Sequence, residues 1–102
     1  MILYLDTAKR DEVKVSLKSA EGQVREKTAE RGFSSQALLG VIEDLLGEAG
    51  VKISDLKGIE FFRGPGSYTG LKVGATVANT LGWFLKIPVN GQKNKIVLPD
   101  YE

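Results

Sequence analysis

The sequence predicts an α/β fold on a mixed sheet, of order β-β-β-α-β-α-β with five to six strands, and three observations carry that prediction. Short strand-like segments crowd the N-terminal part, two longer segments have helical period, and one further apolar run lies between those two. Consecutive short strands favour an antiparallel meander, and a βαβ unit then adds parallel strands through a right-handed crossover.

Ile2–Leu5 is short and continuously apolar, as for a strand buried on both faces. After the polar turn Lys9-Arg10-Asp11-Glu12, Val13, Val15 and Leu17 alternate with Lys14, Ser16 and Lys18, the pattern of a half-buried strand. Glu21-Gly22 makes the next turn, and the polar stretch Gln23–Glu30 reads as an edge strand whose charges discourage further pairing. The period then changes. Leu38, Leu39, Ile42, Leu45, Leu46 and Ala49 recur at spacings of three and four, which predicts an amphipathic helix over about Ser35–Ala49. Ser34 or Ser35 can cap its start, and Gly50 can end it in a left-handed conformation. Val51–Lys57 is a connector and Gly58–Phe62 a second buried strand. A second helix is expected over about Thr69–Lys86, stopped by Pro88; Val89 starts a short strand, and Ile96-Val97-Leu98 is a candidate last one.

The 102 residues, 42% of them apolar, fit one domain with a modest core. A net charge of +1 gives no general pull towards nucleic acid or acidic lipid, so any contact with RNA needs a local patch or another subunit. No apolar run approaches the ~20 residues that span a bilayer. Met1–Asp6 has no basic region of the kind that opens a signal peptide, so a cytoplasmic location is the default. The chain has no cysteine and no histidine, which excludes disulfides, thiolate zinc sites and thiol catalysis and removes the commonest general base. These absences argue against an autonomous enzyme; no cofactor and no metal are expected.

Four features can carry function. Gly70, Gly74, Ala78 and Gly82 are spaced four apart, so one ridge of the second helix is almost bare. Such a ridge admits another backbone closely, either within this domain or from another subunit, with Gly40 and Gly47 joining it. Lys72, Asn79 and Lys86 interrupt the segment and exclude a membrane helix pair. Second, the loop Gly64-Pro65-Gly66-Ser67-Tyr68-Thr69 is either an anion cradle (Gly64, Gly66, Ser67, Thr69, with Arg63 or Lys72 adding charge) or a strand-to-helix turn capped by Ser67 or Thr69. It lacks the Gly-Lys-Ser/Thr of a P-loop, and the turn is the favoured reading. Third, Asp6 can act as a carboxylate at the end of a buried strand or simply hydrogen-bond the adjacent turn, which is favoured; no glycine follows it to form a phosphate hairpin. Fourth, Trp83 and Phe84 suit core or interface anchors, while Lys9, Arg10, Lys14 and Lys18 suit a solvated strand face.

The run Gly64-Pro65-Gly66-Ser67-Tyr68-Thr69-Gly70-Leu71-Lys72-Val73-Gly74 closely resembles the signature of the bacterial TsaB (YeaZ) family, Gly-Pro-Gly-Ser-Phe-Thr-Gly-Leu-Arg-Ile/Val-Gly. Ile2–Thr7 resembles the family's opening strand, Ser35–Leu46 its first helix, and Ile53–Ile59 also fits, so the resemblance covers about residues 1–90. It implies half of an actin-like, ribonuclease H-like fold, with residues 1–102 as one lobe. It also implies a part in making N6-threonylcarbamoyladenosine on tRNAs that read ANN codons. There the family supplies a non-catalytic subunit that pairs through its N-terminal helices with the catalytic paralogue TsaD. The ATPase TsaE joins that assembly, homodimers form through the same face, and tRNA is met only indirectly. On this basis the expected interface is Leu39, Gly40, Glu43 and Gly47 of the first helix with Gly70, Leu71, Gly74, Ala75, Ala78, Gly82 and Trp83 of the second.

The chain departs from the family in lacking the second lobe, and with it the nucleotide cleft between lobes. Ser34-Ser35 stands where the family often has His-Ser. The missing lobe leaves both a natural one-lobe variant and a fragment open, and the tail after Asn90, which leaves the family pattern, favours the natural short form. Two alternatives stay open: a nucleotide-binding ATPase half assembled as a dimer, and a dimerisation module outside the pathway.

Overall fold

A computed structural model describes residues 1–9, 11–30 and 34–100. Arg10 of the basic run and Tyr101 and Glu102 of the tail lie outside the described residues.

The strands are β1 (Ile2–Asp6), β2 (Val13–Ser19), β3 (Gly22–Ala29) and β4 (Gly58–Phe61), and the helices α1 (Ser35–Ala49) and α2 (Tyr68–Leu85). They form one sheet of order β3-β2-β1-β4, antiparallel from β3 to β1 and parallel between β1 and β4. The register stacks Leu17, Leu3 and Ile59 across the sheet, and beside them Val15, Leu5 and Phe61. All six are buried on the face that carries both helices. Leu38, Ile42 and Leu45 of α1 close the core over β2 and β3, and Leu71, Ala78 and Leu81 of α2 close it over β1 and β4.

α1 follows its apolar period to the expected residues. The Ser34 hydroxyl accepts from the Ala37 N–H at 3.0 Å, satisfying one of the unpaired donors of the first turn. Gly50, at φ 68°, closes the other end. β3 is the polar edge strand, and its Lys27 reaches Glu48 on α1 at 2.8 Å.

Among the described residues the sheet holds four strands rather than five or six. Val89 takes the fifth position as a single parallel bridge to Ile59. Asn90 (φ 49°) and Gly91 (φ 77°) then turn the chain away from the sheet. The Asn90 side chain takes over the pairing that a longer strand would have made: its Oδ1 accepts from the Phe61 N–H at 2.8 Å, and its Nδ2 donates to the Phe61 carbonyl at 3.2 Å. Ile96–Leu98 is not a strand either. The Asn79 side chain holds Val97 there, accepting from its N–H at 2.9 Å and donating to its carbonyl at 2.8 Å. In each case a side-chain amide replaces a neighbouring strand.

Candidate functional site

The bare ridge of α2 faces inward, which corrects its assignment as a partner surface. Gly70, Leu71, Gly74, Ala75, Ala78 and Gly82 are all buried within the chain. A Cβ on Gly74 would collide with Thr7 Oγ1, and one on Gly82 with a methyl of Val89. The glycines let α2 settle directly on the end of β1 and on the Val89 bridge. Thr7 is the counterpart in this contact, and its buried hydroxyl donates to the Gly70 carbonyl at 2.6 Å. That residue was not singled out from sequence, although the alternation Leu3, Leu5, Thr7 places it on the inner face.

The loop before α2 is built as a strand-to-helix turn. A Cβ on Gly66 would lie 2.6 Å from that of Ala8, so only glycine fits against the turn after β1. Gly64 sits at φ 125° beside the carbonyl of Asp100. Ser67 caps the helix by accepting from the Gly70 N–H at 3.3 Å, while its own N–H donates to the Ala8 carbonyl at 2.8 Å. Two of the N–H groups an anion would need are therefore engaged. Thr69 is exposed on the first turn. Asp6 likewise serves its turn, its Oδ1 accepting from the Ala8 N–H at 3.1 Å.

The two helices differ in what they leave outside. On α1, Leu39 (38% exposed), Gly40, Glu43 and Gly47 lie along the outward face, and among the described residues no neighbour comes within 4 Å of a Cβ built on either glycine. At its C-terminal end α2 exposes Trp83 (81%) and Phe84 (72%), so neither is core. They border a surface groove of about 770 Å³, with Lys86, Lys93, Lys95 and Ile96 on its other sides.

Charge is distributed unevenly. In the turn after β1, Lys9 lies 3.6 Å from Glu12; on β2, Lys14 lies 3.7 Å from Glu26 and Lys18 stacks 4.5 Å over the Tyr4 ring. Burial, then Asp6 and Glu60 nearby, raises the Tyr4 phenol above its usual range. The Lys27–Glu48 hydrogen bond raises the lysine and lowers the carboxylate. Lys86, Lys93 and Lys95 form no ion pair among the described residues.

Comparison with known proteins bears on this geometry. The family model described as TsaD, tRNA N6-adenosine threonylcarbamoyltransferase, matches residues 12–93. A tRNA N6-adenosine threonylcarbamoyltransferase from Nitrosospira multiformis is 48% identical over 54 residues, which cover 53% of this chain and 16% of that protein. The tRNA threonylcarbamoyladenosine biosynthesis protein TsaB of Bacillus subtilis is 43% identical over 49 residues, 48% of this chain and 21% of that one. Among solved structures, YeaZ from Pseudomonas aeruginosa superposes with a TM-score of 0.76 at 34% identity, over 86% of this chain and 41% of YeaZ. The chain thus spans less than half the length of these relatives.

Proposed function

The chain belongs to the tRNA N6-adenosine threonylcarbamoyltransferase (TsaD) family, on its TsaB (YeaZ) side, and from that membership we propose that it is a non-catalytic subunit of the machinery that makes threonylcarbamoyladenosine on tRNA. Its partner in this reading is a TsaD-like catalytic subunit, with a TsaE-like ATPase joining the assembly and a homodimer forming when the chain is alone. A cytoplasmic setting follows from that role; among the described residues no helix is long and apolar enough to cross a membrane.

The observation that carries the proposal is the outward face of α1. Two glycines inside a helix cost roughly 1 kcal/mol each relative to alanine, and here no contact among the described residues requires them. A partner backbone seated between Leu39, Glu43 and Gly47 would require them. The inward ridge of α2 plays a supporting part, holding α2 against the sheet beside α1. Lack of histidine and cysteine in the sequence supports placing the chemistry on the partner.

Co-expression with the TsaD of the same organism, followed by size exclusion, tests this. The two chains should co-elute, and Gly47→Arg should abolish co-elution while leaving the circular dichroism spectrum unchanged, because the position is open to solvent. An unchanged elution volume for Gly47→Arg would reject the α1 face as the contact.

A further inference from the structure

We infer that the groove at the C-terminal end of α2 binds a single-stranded segment of RNA, with Trp83 as the stacking platform and Lys86, Lys93 and Lys95 as the phosphate contacts. The choice of RNA as the polyanion rests on the tRNA-modification reading above; the site itself rests on the structure. Trp83 and Phe84 present largely exposed rings, and Ile96, 75% exposed, adds an apolar flank. Between them run three lysines, and among the described residues no carboxylate lines the groove. These lysines form no ion pair among the described residues, in contrast to Lys9 of the turn after β1 and Lys14 and Lys18 of β2, which face carboxylates or a ring.

Exposed aromatics beside unneutralised cations are the complement of an unpaired strand, whose bases offer π-faces and whose backbone offers negative charge. A net charge of +1 supplies no general attraction, so RNA contact requires a local patch, and the groove offers one. A protein occupant would meet the same apolar residues but would leave three ammonium groups without partners unless it were acidic. The site also joins two sources: Trp83 and Lys86 lie inside the segment that matches the family model, whereas Lys95 and Ile96 lie beyond its last matched residue, 93. The Asn79 clamp on Val97 is what holds that tail against α2. This gives the chain a direct RNA contact, against the expectation that tRNA is met only through a partner.

Trp83 is the sole tryptophan, so its emission reports the site directly. Titration with a single-stranded decauridylate at low salt should quench it saturably, and a duplex of the same length should not. With three phosphate contacts, log affinity should fall with log salt at a slope of about 2. The double variant Lys93→Glu/Lys95→Glu keeps the reporter and should bind at least about tenfold more weakly with a shallower slope. Trp83→Leu, followed by anisotropy of labelled decauridylate, should lose roughly tenfold. Absence of quenching, equal quenching by the duplex, or full binding by the lysine variant would overturn the inference. An emission change that follows protein concentration alone would also overturn it, assigning the groove to a second copy. A chain that co-elutes with the TsaD-like subunit yet ignores decauridylate refutes only this inference; the converse result refutes only the partner reading.

Discussion

α1 and α2 each carry glycines in their interior, and the two sets do opposite things. On α2, Gly74 and Gly82 are buried where a methyl group would strike Thr7 or Val89. On α1, Gly40 and Gly47 face open space. One residue type therefore marks a contact inside the fold on one helix and an unfilled face on the other. Spacing alone does not distinguish them, because a small residue signals close approach without saying which side the neighbour comes from.

The largest effect that would break this contrast lies at Gly74. Gly74→Ala gains helix propensity of up to about 1 kcal/mol but drives a methyl into the Thr7 hydroxyl, which is buried and bonded to the Gly70 carbonyl. Overpacking of this kind costs about 1–3 kcal/mol, so a net destabilisation is expected in urea unfolding. Thr7→Ala, which removes the obstructing hydroxyl, should recover part of the loss when combined with Gly74→Ala. A double-mutant coupling of about 1 kcal/mol is expected, and strictly additive values would show that the two residues do not meet.

Sequence reading took the fold far and the ridge in the wrong direction, and the physics separates the two outcomes. α1 was readable to its ends because an apolar stripe, a serine cap and a left-handed glycine all agree on the same boundaries. The polar strand Gly22–Ala29 was readable as an edge because its charges could not be buried. The ridge needed its partner, Thr7, which follows the first strand and meets Gly74 only in the folded chain. The missing fifth strand turned on Asn90, whose left-handed backbone and side-chain pairing with Phe61 are long-range facts. Asn79, noted only as an interruption of an apolar segment, is the clamp that places the tail. For the same reason the groove was invisible in sequence: Trp83 and Lys95 line one groove because that clamp and the Arg63 bonds to Leu98 and Asp100 fix the tail.

A smaller effect of opposite sign is expected on α1. Gly40→Ala and Gly47→Ala should each stabilise the isolated chain by up to about 1 kcal/mol, since no neighbour opposes the added methyl. Thermal melts of the two single variants and the double check this, and additivity is expected because the sites lie two turns apart on an open face. If the outward face seats a partner, the same variants should weaken co-elution with the TsaD-like subunit while raising the melting temperature. Stability and assembly would then move in opposite directions, which a purely structural role for these glycines does not produce.

The smallest effect concerns how α1 is tied to the sheet. α2 is fixed by backbone contact, whereas the end of α1 is joined to the edge strand through Glu48, 2.8 Å from Lys27 and 3.9 Å from Arg25 at the surface. The Lys27 hydrogen bond, then its charge, lowers the Glu48 carboxyl below its ordinary 4.5 despite opposing desolvation, so this contribution is present above that value and is lost as pH falls through the folded-state pKa. Hydrogen bonding to Glu48 and then its charge raise Lys27 above 10.5; its share is present below that value and is lost as pH rises through its own folded-state pKa. Both groups are solvent-exposed, so salt screens the pair. Glu48→Gln should therefore lower the melting temperature slightly at neutral pH and low salt, and the gap to the parent chain should close both in acid and in high salt. A gap that survived acidification would mean that Glu48 acts through packing, and α1 would then be anchored more like α2 than the open space over its glycines indicates.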